Sequence, residues 1–135
     1  MPPNYCVAAQ RSYRDAALLE QQQRLANADH LYGLAAECAL KAVLVGLGVI
    51  PPAQDPPRVW RKHIDQLWNE YFTYTSGPGL GRYLVAADCP FHGWRVDHRY
   101  EDEALFTAER VSQHARGART VVALLQQAML DGVVT

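Results

Sequence analysis

The stretch His30-Leu-Tyr-Gly-Leu-Ala-Ala-Glu-Cys-Ala-Leu-Lys-Ala-Val-Leu-Val constrains the fold of this chain more than any other, because between Leu31 and Val45 only Glu37 and Lys41 are charged. Ala and Leu are strong helix formers, so the stretch reads as one helix with Asp29 as its N-cap and a stop near Gly46 and Gly48. Glu37 and Lys41 stand one turn apart on one face. A helix apolar around most of its circumference needs neighbours on several sides. The rest of the chain must supply them.

Helical patterns separated by breakers do supply them, and no series of strands is visible. Tyr5 to Asn27 is rich in Ala, Leu, Gln, Glu and Arg without an internal Gly or Pro, and reads as the first helix. After the central helix, Ile50 to Pro57 is a connecting loop, since its prolines remove amide donors and clash with a preceding helical turn. Ile64, Leu67, Trp68, Tyr71 and Phe72 then repeat at helical spacing and mark the core stripe of a third helix. Ser76 to Gly81 reads as a hinge, followed by a short helix through Tyr83, Leu84 and Val85 and an irregular segment from Asp88 to Trp94. The last helix is expected to begin near Glu101 to Glu103, where acidic residues suit the positive helix end. Its seam reads Leu105, Ala108, Ser112, Ala115, Ala118, Val122, Leu125 and Met129, with small residues that admit a close neighbour. The expectation is an all-α, antiparallel up-and-down bundle of four to five helices forming one domain over residues 1–135.

Composition narrows the function classes. Apolar residues make up 49% and charged residues 20% of the 135 residues, which argues against disorder. No apolar run approaches the roughly 18 residues of a membrane span. Met1-Pro2-Pro3-Asn4-Tyr5 lacks the basic and apolar regions of an export signal. Cys6, Cys38 and Cys89 are far apart and odd in number, which suggests neither a disulfide framework nor a zinc site but reduced thiols in the cytoplasm. A formal charge of −1 gives no bulk attraction to nucleic acid, so any such contact must use a local patch. No nucleophile elbow, His-Glu-x-x-His or phosphate-loop motif is present, and neither a metal nor an organic cofactor is expected.

The ordered set Tyr32-Gly-Leu-Ala-Ala-Glu37-Cys-Ala-Leu-Lys41-Ala-Val-Leu, Pro51-Pro52, His63-Ile-Asp-Gln-Leu67 and Arg99-Tyr100 opening a final Ala-rich helix resembles the HEPN domain, over nearly the whole chain. The resemblance implies a four- or five-helix bundle, usually a homodimer. It implies a function either beside a minimal nucleotidyltransferase partner or as a metal-independent ribonuclease of toxin–antitoxin and defence systems. The ribonuclease members carry an Arg and, after four to six intervening residues, a His on the last long helix. There a His can move a proton at the ribose 2′-hydroxyl while an Arg stabilises phosphate charge. This chain departs from that spacing: Arg110-Val-Ser-Gln-His114 and Arg95-Val-Asp-His98 are shorter, and Arg58-Val-Trp-Arg-Lys-His63 lies ahead of the third helix.

Three groups of candidates follow. Arg110 and His114 sit one turn apart on the last helix and can aim at one spot, as a catalytic pair in a composite dimer site or as part of a solvated face. His92, Arg95, His98, Arg99 and Tyr100 cluster in irregular structure, where functional groups concentrate, and form the candidate nucleotide or RNA surface. The plainer alternative there has Trp94 and Tyr100 packing the loop onto the bundle while Asp97, Glu101, Asp102 and Glu103 pair with the arginines. Glu37 and Lys41 line a groove or form an intrahelical ion pair, and His63 caps the third helix or joins the site. The favoured expectation is a non-catalytic, HEPN-like module that dimerises and binds a nucleotide, RNA or a nucleotidyltransferase. The alternative is the ribonuclease.

Overall fold

A computed structural model describes residues 3–52 and 56–135; the middle of the proline loop lies outside these. The architecture is an all-α bundle of four helices: α1 (Tyr5–Gln21), α2 (Leu25–Gly46), α3 (Ile64–Thr75) and α4 (Ala108–Leu130). Short 3₁₀ turns occupy the connections at Arg58–Trp60, Gly81–Tyr83, Val96–Tyr100 and Glu103–Leu105. No strand occurs among the described residues. None of their helices is long and apolar enough to cross a membrane.

α2 is the central element. Thirteen of its residues are buried, Leu40, Val43 and Leu44 completely. Its shell comes from α1, α4 and α3 of this chain. α1 packs against α2 and α4 through the fully buried Ala9 and Ala16, small enough to bring helix backbones close. α1 is antiparallel to both: Cys6 and Gln10 near its start meet Met129 near the end of α4. α2 and α4 run side by side in the same sense, since Asp29 meets His114 near their starts and a Cβ on Gly46 would meet Val133 past their ends. α3 presents the expected stripe, with Ile64, Leu67, Trp68 and Tyr71 buried and Phe72 half-buried.

Several boundaries differ from the sequence reading. The first helix ends at Gln21, not Asn27, in a turn where Gln23 takes a left-handed conformation (φ 60). A non-glycine residue there leaves no visible breaker. α2 therefore starts at Leu25, and Asp29 is not its cap but lies inside it. The short helix expected through Val85 is a single 3₁₀ turn ending at Tyr83. α4 starts at Ala108 rather than near Glu101, because the Thr107 side chain accepts from the Arg110 N–H and caps it. The seam is also rotated: Val111, His114, Gly117, Ala118, Val121, Val122, Leu125 and Ala128 are buried, whereas Ala108 and Met129 are exposed. Gly117 does admit a close neighbour, but it is the Pro90–Phe91 loop, not another helix.

Candidate functional site

The long excursion between α3 and α4 carries no regular secondary structure over Leu84–Arg95, yet it is pinned. Trp94, 1% exposed, lies in the space left by the missing side chain of Gly33; a methyl there would overlap the indole. Its Nε1–H donates to the Asp29 carbonyl at 3.0 Å. Phe91 is fully buried, next to the His114 ring, with centroids 5.3 Å apart and an interplanar angle of 20°. Trp68 on α3 ties down the same excursion by donating from Nε1 to the Ala86 carbonyl at 2.8 Å.

This packing assembles a polar cluster at the start of α2 and α4. Asp29 is 1% and His114 3% exposed, with His114 Nδ1 2.5 Å from Asp29 Oδ1. A carboxylate only accepts, so the imidazole donates through Nδ1. Arg110 sits one turn before His114, with Nε 3.7 Å from Asp29 Oδ2. Its Nη2 donates to the Gly93 carbonyl at 2.7 Å and contacts His98 Nδ1 at 3.0 Å. A guanidinium carries only donors, so His98 accepts through Nδ1 and keeps its proton on Nε2.

A second cluster lies along α2. Glu37 is buried, with Lys41 Nζ 3.1 Å from Oε2 and His63 Nδ1 2.9 Å from Oε1. His63 stands at the N-cap position of α3, but its side chain makes no capping bond and reaches α2 instead. His30 sits between the clusters. Its ring stacks on Trp94 at 5.9 Å, and its Nδ1 is buried without a hydrogen-bond partner. Burial lowers its pKa from 6.5, Arg99 and His63 add to this, and Asp29 and Glu37 oppose.

A depressed histidine pKa has a signed consequence. Below pH 6.5 the unfolded chain takes up a proton at His30 more readily than the folded chain, so the stability present above that pH declines as the pH falls through and below it. Chemical denaturation across pH 5–8 should therefore show a slope that His30→Asn reduces. An unchanged slope in the variant would remove His30 as its source.

The expected site residues separate accordingly. Arg110, His114 and His98 are brought together. His114 is not on a solvated face, because Asp29 draws it into the core. Glu37, Lys41 and His63 form their own ion-paired group, with Lys41 Nζ 5.8 Å from the Tyr5 ring centroid. Arg95 is exposed and paired with Asp97 at 3.1 Å, and His92 is exposed. Arg99 lies over the Tyr100 ring at 4.9 Å. Trp94 packs the loop as expected, but Tyr100 does not: it is 78% exposed. Asp29 and His30 are the members sequence reasoning missed. The available signal was that Asp29, Gly33 and Glu37 recur at every fourth residue along one face of α2.

Thiol chemistry is not favoured. The three cysteines are free, and burial pushes the Cys38 and Cys89 thiols up to about 11, which leaves little thiolate at neutral pH. No group of His, Cys, Asp and Glu among the described residues has the geometry to hold a metal ion. No family model, curated protein or solved structure matches the chain.

Proposed function

We propose that this chain is an HEPN-like helical module that binds a phosphate-bearing ligand, a nucleotide or RNA, without cleaving it. The binding face is formed by His98, Arg99, Tyr100 and the outer edge of Arg110. One observation carries this reading: both imidazoles beside Arg110 are engaged. His114 is buried against Asp29, out of reach of a substrate. His98 uses its only lone pair on Arg110 and has an Nε2–H left to donate. A histidine in that state offers a hydrogen bond to a phosphate oxygen but cannot take the proton of a ribose hydroxyl. Arg110 is oriented by Gly93 and Asp29, so its charge is held in place for a ligand.

The same reading includes self-association and a nucleotidyltransferase partner in the cytoplasm, measurable by light scattering and by co-purification. A mixed RNA pool incubated with the pure protein in EDTA should stay intact at every protein concentration and shift on a native gel. His98→Ala should weaken the shift. Cleavage that disappears in His98→Ala would replace this reading with the metal-independent ribonuclease, for which the Arg110–His98 contact is the supporting observation.

A further inference from the structure

We infer that Tyr100 is a stacking platform for an unpaired base of single-stranded RNA; this deepens the binding reading above and rests on it. Tyr100 closes the 3₁₀ turn Val96–Tyr100 and is 78% exposed, almost twice as open as Tyr74 at 40%. An aromatic ring so placed adds little to the core. Its base is nevertheless fixed: Val96 and Leu105 on either side pack half-buried against the core, and Arg110 holds His98 two residues before it. The ring is thus presented to solvent on a pinned turn, so little conformational freedom is lost when it stacks.

The surrounding charges select the ligand. The Arg99 guanidinium lies over one face of the ring, so a base stacks on the other, open face with a cation just across the ring from it. Two of the four nearby carboxylates are engaged, Asp97 by Arg95 and Asp102 by the Glu103 N–H, while the Glu101 and Glu103 side chains are exposed. With so few free cations the face cannot grip a backbone by charge alone, and stacking must supply much of the affinity. Every base offers a π-face, but in a duplex those faces are already stacked on one another. The fitting partner is therefore a single strand.

Fluorescence anisotropy with labelled oligo(A) RNA at low salt tests this on the full chain. Tyr100→Ala should weaken binding by roughly 5- to 150-fold, the range for loss of one base–aromatic stack. Tyr100→Phe should bind like the parent, since the ring and not the hydroxyl is needed. Arg99→Ala should reduce the slope of log affinity against log salt by about 0.7, the share of one single-strand phosphate. The oligo(A)·oligo(U) duplex should bind more weakly than oligo(A). Parent-like binding by Tyr100→Ala, or a duplex bound as tightly as the single strand, would overturn the stacking role alone. A parent protein that binds neither oligo(A) nor ATP would overturn the binding reading itself.

Discussion

Replacing Asp29 with alanine is expected to lower the unfolding free energy by about 3–5 kcal/mol, the penalty for removing one partner of a buried ion pair. Among the described residues, Asp29 is the only carboxylate in contact with His114 and Arg110, and it is 1% exposed. Its loss leaves an imidazole N–H without an acceptor and a half-buried guanidinium without a counter-charge. His114→Ala should cost less than Asp29→Ala, because Asp29 keeps Arg110 as a neighbour. A double replacement of Asp29 and His114 by leucine should recover part of the loss, since the desolvation cost goes with both groups. Urea unfolding measures all three. A loss under about 1 kcal/mol for Asp29→Ala would show that the pair is hydrated and behaves like a surface contact.

Trp94→Ala should have a similar effect, about 3–5 kcal/mol, as for other large aromatic residues removed from a core. The indole fills the space above Gly33, stacks with His30 and closes a hydrogen bond to the Asp29 carbonyl. Trp94→Phe keeps an aromatic ring and loses the N–H, so its cost should be nearer 1 kcal/mol. Amide exchange separates local from global effects: Trp94→Ala should speed exchange over residues 91–100 more than within α2. Equal acceleration in both would mean that the loop is not held by this side chain.

The bundle was legible because its signal is periodic. The α3 stripe follows directly from its spacing, and the burial of α2 from its composition. What escaped was set by tertiary contact. Nothing at Gln21–Arg24 breaks a helix, so the α1–α2 turn was invisible. The α4 seam was misplaced because His114 looks like a residue for water until a buried carboxylate is known to face it. Asp29 reads as a cap for the same reason: a helix interior is an expensive place for an acid unless a partner lies far away in sequence. The group around Arg110 was half visible. The spacing places Arg110 and His114 one turn apart, but Gly93 and His98, which Arg110 Nη2 contacts, come from a segment with no periodicity to read.

The attachment points of that segment have an order of events written into them. The slot at Gly33 and the Asp29 carbonyl lie on one helix, while the ledge at Gly117 and the ring of His114 lie on another helix more than half the chain away. A stretch held at both places is expected to settle only after the two helices have met. The surface bearing His98 and Tyr100 is therefore expected to form late and to be the first to open when the scaffold loosens.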